Sequence, residues 1–258
     1  MKVVLKKILP NILYFFVFLC IWQALVTLFG IKEFIVPSPL TVLERIFNPA
    51  IAARYNWPIH LQRTIMEVVL SFLFTAVLGI GFAILITWSK VLSQILMPIF
   101  IMFNSLPKVA FAPMFLLWFG YGLVPNILIA FLVAFFPVVI NSSTGLAAVE
   151  EDLLDLVRYL NASKLQIFIK IRIPNSLPYI FAGLKISATM CVVGAIVGEF
   201  IATDRGLGYL LRDAQAFIDT PTMFACLMLL SATGFLFFSI IQLAEKLCMP
   251  WNHRKAER

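Results

Sequence analysis

Groups able to do chemistry are few in this sequence and badly placed for catalysis. The two histidines, His60 and His253, fall in opposite terminal regions, which argues against an H-E-x-x-H metal site or a histidine relay to a nucleophile. The four cysteines, Cys20, Cys191, Cys226 and Cys248, show no paired spacing for a disulfide or a metal. No G-x-x-x-x-G-K-[ST] phosphate loop occurs, so this chain is not expected to hydrolyse ATP by itself. What remains are single ionisable groups in apolar surroundings, Glu67, Lys108 and Glu199. One long charged stretch accompanies them, "DLVRYLNASKLQIFIKIRIPNSLP", from Asp155 to Pro178.

The elements that hold these groups are set by composition. Of 258 residues, 62% are hydrophobic and 13% charged, about half the charged share of a soluble domain. Apolar runs of the length needed to cross a bilayer, about 20 helical residues, recur along the chain. They are apolar on both parities, which disfavours a barrel with alternating strands. The expectation is an all-α polytopic membrane protein with six transmembrane helices: Ile12 to Phe29, Ile65 to Trp88, Val91 to Phe119, Val124 to Asn141, Ala182 to Ile201 and Met223 to Ala244. The side shared with the N-terminus holds 13 Lys and Arg against six on the other, which places both termini in the cytoplasm. Topology thus explains the net charge of +7 without a nucleic-acid partner. No small-residue cleavage site follows the first apolar run, so it reads as a retained span. The four prolines between Ile31 and Gln62 mark an extracytoplasmic excursion, either a docking surface or a plain connection. The chain, residues 1–258, reads as a single domain.

Within the spans, charge is kept for function more often than not, because lipid does not solvate it. Lys108 follows Asn104 in a third span interrupted by Pro98, Pro107 and Pro113. Either the two line a polar pathway through a broken helix, or Lys108 snorkels to the cytoplasmic surface. Glu67 and Glu199 are placed near the outer ends of their helices. In the fifth span Gly183, Ser187, Cys191, Ala195 and Glu199 follow one another at i+4, and Gly194 and Gly198 form a G-x-x-x-G. That stripe suits close helix packing, within the chain or between two copies, or an unobstructed pathway along Ser187, Cys191 and Glu199.

The charged stretch has its own logic. Leu156, Leu160, Leu165, Phe168 and Ile169 recur at helical spacing among polar residues. Asn161 tolerates the left-handed conformation and separates two short helices. Pro174 and Pro178 are expected to stop the second piece before the fifth span. Such an element on the cytoplasmic face invites a partner.

Here the sequence resembles a known family. The stretch is similar to the cytoplasmic loop of ABC importer permeases, E-A-A-x-x-x-G with a proline thirteen residues on. Asp155 stands at the acidic position, Leu156 and Val157 at the two alanines, Asn161 at the glycine and Pro174 at the proline. "LPKVAFAPMFLLWFGYG", "FFPVVINSSTGLAAVEEDLLDL", "VGEFIATDRGLGYLL" and "LAEKLCMPW" look like the corresponding parts of the nitrate, sulfonate, taurine and pyrimidine-precursor permeases, in order. The resemblance implies the type I importer permease fold in a prokaryotic inner membrane. It implies a homodimer with two ATPase subunits that bind ATP and Mg, no cofactor in this chain, and an extracytoplasmic solute-binding protein. It makes residues 150–178 the coupling loop, with Asp155, Arg158, Leu160, Asn161, Ala162, Lys164, Phe168, Pro174 and Pro178 facing or shaping the ATPase contact. Two other readings stay open: a secondary transporter driven by an ion gradient, and a membrane assembly protein that carries no solute.

Overall fold

The computed structural model describes residues 2–250; Trp251 and His253, singled out above, lie outside them. The chain enters through α1 (Lys2–Leu28), and two short helices follow, α2 (Pro39–Phe47) and α3 (Pro49–Tyr55). Prolines begin these helices rather than break them. Pro39 and Pro49 occupy the first turn, where a missing N–H costs nothing. Ahead of them, Ser38 accepts the Thr41 N–H at 3.2 Å and Asn48 the Ala50 N–H at 3.1 Å, caps that stabilise a helix by about 1 kcal/mol each. Asn56, at φ 48°, turns α3 into α4 (Trp57–Trp88).

The third predicted span is where the chain breaks. α5 (Lys90–Ser105) ends at Leu106 and Pro107, a single 3-10 turn follows over Lys108–Phe111, and α6 (Ala112–Phe119) departs at 82°. Pro107 forces this break, because Leu106 before it is held extended. Pro98 and Pro137, by contrast, sit inside continuous helices. Gly120 and Gly122, both at positive φ, return the chain into α7 (Leu123–Ala147).

Beyond α7 come α8 (Glu151–Tyr159) and α9 (Lys164–Ile167), then α10 (Ile173–Ala202), α11 (Leu207–Ala216) and α12 (Thr220–Cys248). Here the structure corrects the expectation that Pro174 and Pro178 end the second short helix. α9 passes through a π turn, Phe168–Arg172, straight into α10, so that helix is continuous from Lys164 to Ile201. Pro174 lies in the first turn of α10 and Pro178 inside it. The widened turn supplies the extra room that a proline ring needs against the preceding carbonyls.

Among the described residues, four helices are long and apolar enough to cross a membrane: α4, α7, α9 with α10, and α12. The bent pair of α5 and α6 makes a fifth span if counted as one. In α1 the apolar stretch with described side chains is shorter, Phe16–Leu28. α10 is the central element, packed on α7, α4, α12 and α11.

Small residues permit that packing. A Cβ on Gly194 would overlap the Ala130 backbone of α7, and one on Gly198 would come within 2.9 Å of Asn126 Cα. Gly183 meets Pro137 and Val138, and Gly145 meets Tyr179, along the same seam. Around it Phe72, Ala134, Ala188, Cys191, Val192 and Cys226 close the core. A second cluster, Phe100, Phe135 and Phe136 with edge-on Phe82, fastens α5 to α4 and α7. Large apolar side chains such as Phe18, Phe74, Val77, Leu117 and Phe235 face outward, as lipid contact requires.

The glycine seam yields a direct test. Gly194→Val should cost on the order of 1–3 kcal/mol or more, the range for overpacking a tight core, read as a lower melting temperature and loss of monodisperse protein in detergent. Gly81→Ala, whose Cβ would meet nothing within 4 Å, is the matched control and should leave both unchanged.

Candidate functional site

The segment joining α7 to α10 divides its residues between two faces. Val149, Leu154 and Ile167 are buried together, with Val157, Ala162 and Ile171 packed against them. These close α8 and α9 onto one another. The joint between them is a left-handed turn at Asn161, φ 56°. Ala162 N–H bonds the Val157 carbonyl at 3.0 Å and Asn161 N–H the Arg158 carbonyl at 2.9 Å, the two bonds of a Schellman cap. Its usual apolar contact, here Ala162 with Val157, is present. Asn161 therefore does what a glycine does at this position. α9 then opens with a capping box: Gln166 N–H to Ser163 Oγ at 3.3 Å, Ser163 N–H to Gln166 Oε1 at 2.8 Å.

Among the described residues nothing covers the other face. Leu156, Tyr159, Leu160 and Leu165 are exposed, Tyr159 at 85% and Leu160 at 68%. Asp155 and Arg158 pair with one another at 2.7 Å on that surface, and Lys164 and Lys170 are exposed beside them. Phe168 departs from the expected set. It points inward, edge-on to Trp88 at 5.3 Å and packed near Ala83 and Leu146. The helical spacing that grouped it with Leu165 does not show that α4 and α7 arrive on its side of the helix, where Ala83, Trp88 and Leu146 receive the ring.

Lys108 occupies the break between α5 and α6. Its ammonium donates to the Asn104 carbonyl at 2.7 Å and to Asn104 Oδ1 at 3.1 Å, and stands 5.3 Å from the Phe136 ring centroid. Phe136 lies near the middle of α7, and at about 1.5 Å per residue it is roughly 16 Å from the Ala147 end. Its ammonium thus lies beside the middle of α7 and not at either of that helix's ends. Among the described residues no carboxylate is in ion-pair contact with it.

Glu199 lies three residues from the end of α10 and Glu67 ten from the start of α4, and both are fully buried. Glu199 accepts the Thr64 hydroxyl at 2.6 Å through Oε1 and the Gly208 N–H at 2.6 Å through Oε2. The Thr64 oxygen accepts the Leu207 N–H at 2.9 Å, and His60 Nδ1 the Gly206 N–H at 3.0 Å. The first amides of α11, which have no partner inside their own helix, are thus met by α4 and α10. Gly206 and Gly208 are required because a Cβ on either would run into Glu199. Glu67 receives Arg63 Nε at 2.8 Å and Asn126 Nδ2 at 3.0 Å. Ser187 and Cys191 are likewise fully buried, so the i+4 stripe of α10 faces the inside of this subunit. The spacing E-x₆-G-x-G could have signalled the Glu199 cap; His60 and Thr64 carry no sequence signal, since they arrive from a distant helix.

At the end of the bundle away from α8, Asp219 caps α12 and collects Tyr55 Oη at 2.5 Å, Thr222 Oγ1 at 2.7 Å and Arg45 at 3.5 Å. Burial alone would raise its pKa, but these donors and the guanidinium outweigh it and hold the carboxyl below its ordinary value. Burial and the Asp219 carboxylate raise the Tyr55 hydroxyl in turn.

A multi-pass bundle with a broken helix at mid-depth and an apolar hairpin projecting from one end is the architecture of a transport protein. The sequence matches the family described as binding-protein-dependent transport system inner membrane component over residues 75–247, and the chain belongs to that family, the permeases of ABC transporters. It is 35% identical to a probable ABC transporter permease protein of Haemophilus influenzae, over 91% of this chain and 94% of that one. It is 29% identical to the formylaminopyrimidine transport permease protein ThiX of Halalkalibacterium halodurans, over 94% and 96%. A putative aliphatic sulfonates transport permease protein, SsuC of Bacillus subtilis, is 32% identical over 92% and 85%. An inward-facing structure of the MetNI methionine ABC transporter shares the fold, with a TM-score of 0.60 and 19% identity over 73% of this chain and 94% of that one.

The Glu199 cap predicts its own phenotype. Glu199→Ala leaves the Thr64 hydroxyl and Gly208 N–H without their acceptor, each costing about 1–3 kcal/mol. The purified variant should melt several degrees lower, and Glu199→Gln, which keeps an acceptor oxygen, should recover part of the loss.

Proposed function

We propose that this chain forms the translocation pathway of an ATP-driven importer for a small solute. It works as a homodimer with six spans per subunit and both termini in the cytoplasm. Two separate ATPase subunits bind ATP and Mg, and an extracytoplasmic binding protein delivers the solute. The observation that carries this reading is the α8–α9 hairpin, closed on itself by Val149, Leu154 and Ile167 and tied to α4 and α7 through Phe168, while Leu156, Tyr159, Leu160 and Leu165 are exposed. Exposed apolar groups on a rigid support are what a partner's groove needs.

In this mechanism the apolar face supplies adhesion, and the Asp155–Arg158 pair with Lys164 and Lys170 sets register at the rim, where charge fixes partner choice more than affinity. Ala162 and Asn161 hold the angle between the two helices. Because α9 runs unbroken into α10, a push on the hairpin is delivered to the central helix directly, with Pro174 and Pro178 shaping that lever. ATP binding shifts the equilibrium between inward-open and outward-open states only by as much as it binds them differently. A Leu160→Asp variant should insert and fold yet lose the ATPase in a pull-down from detergent, whereas full retention of the ATPase would remove this segment from the interface.

Lys108 and Asn104 are the residues proposed to meet the solute. A cation held at mid-depth without a paired carboxylate favours an anionic solute, and the relatives named for aliphatic sulfonates and taurine are consistent with that. The relatives named for formylaminopyrimidine and riboflavin keep a vitamin or its pyrimidine precursor as the second reading. Ser187, Cys191 and Glu199 would support the pathway from within the subunit, since no surface of theirs is open. Uptake by the reconstituted transporter should fall about tenfold or more for an anion in Lys108→Ala, the effect of losing one charge-assisted contact, with assembly retained. Unchanged anion uptake would take Lys108 out of the pathway and leave the snorkelling reading in place.

A further inference from the structure

A large cavity of about 1040 Å³ opens at the end of the bundle that carries α8 and α9. Its walls are the end of α4, the start of α5, the end of α7 and the inner side of the α8–α9 hairpin. Four cations line it, Lys90, Arg158, Lys164 and Arg172, and no carboxylate does among the described residues. Arg158 is engaged by Asp155 on the outer side; Lys90, Lys164 and Arg172 make no ion pair among the described residues. Like charges gathered around one space repel unless an anion joins them.

The second observation is the polar character of the rest of the lining, where the Ser89 hydroxyl faces the space at the junction of α4 and α5. Thr144 and Ser93 line the same space with further hydroxyls, and the Trp88 and Phe168 rings give it an apolar side.

We propose that this cavity is a binding site for a phosphate-bearing anion, with Lys90, Lys164 and Arg172 taking the charge and the Ser89 and Ser93 hydroxyls beside them. The chemistry fits two sources, a free di- or polyphosphate compound and the headgroup of an anionic phospholipid. Occupancy would brace the α8–α9 hairpin against α4 and α5, neutralising the repulsion behind the surface that faces outward. The site is separate from Lys108 and does not depend on which solute is carried.

The test uses the full-length chain purified in detergent, so that no ATPase phosphate site competes. Its melting temperature is followed during titration with inorganic pyrophosphate, and again in nanodiscs of phosphatidylcholine with and without phosphatidylglycerol. A bound anion stabilises the folded chain in proportion to the logarithm of its concentration over Kd. The expected result is stabilisation in one arm, which identifies the source. Lys90→Ala with Arg172→Ala should weaken that response about tenfold or more, and Lys246→Ala, a cation outside the cavity, should not. The single variants Lys90→Gln and Arg172→Gln decide the matter if the double variant is not monodisperse. The proposal is overturned if neither pyrophosphate nor phosphatidylglycerol stabilises the parent chain, or if the cavity variants respond as the parent does.

Discussion

Backbone contact between α7 and α10 is the constraint on which the other elements depend. At Gly194 and Gly198 the helices are close enough that α7 main-chain atoms occupy the space of a side chain. In lipid there is little hydrophobic drive to bring helices together, so dispersion over a close, well-matched seam must supply the association. α4 joins the pair through Gly79, which meets Val138, and α12 and α11 then pack on α10. Had this seam been built of leucines, the helices would stand further apart and the buried polar groups could not reach each other.

Those polar groups show how irregular backbone is tolerated beside a bilayer. The turn from α10 to α11 exposes three successive amides at Gly206, Leu207 and Gly208, and in hydrocarbon such groups find no water. His60, Thr64 and Glu199 meet them one by one. A carboxyl that looks like a functional charge in the sequence is thereby largely occupied in holding a helix terminus. Lys108 is the contrasting case: its ammonium bonds only to Asn104, four residues earlier in the chain, and otherwise faces an aromatic ring and the outside of the subunit.

The hairpin of α8 and α9 sorts its apolar residues into two sets, one that closes it on itself and one that is exposed. The Schellman turn at Asn161 sets the angle between its two helices. Since α9 is continuous with α10 through the π turn, one helix carries both the hairpin and the glycine seam.

The membrane class, the long spans and the amphipathic segment from Asp155 onward were legible in the sequence, because each depends only on the local order of apolar and polar residues. The motif spacing from Asp155 to Pro174 survived even with asparagine in place of glycine, since both residues reach the left-handed turn. What the chain order could not express was direction. Phe168 turned inward because Ala83, Trp88 and Leu146, from distant parts of the chain, receive its ring, and Pro178 stayed inside a helix because the packing of α10 outweighs the local cost of a proline. Glu67 and Glu199 were placed toward the outer ends of their helices, but what buries them was not legible, since their partners are 59 and 135 positions away, Asn126 and Thr64. The stripe of small residues on α10 allowed packing or a pathway equally well; only the arrival of α7 against it, a contact between distant parts of the chain, decided for packing.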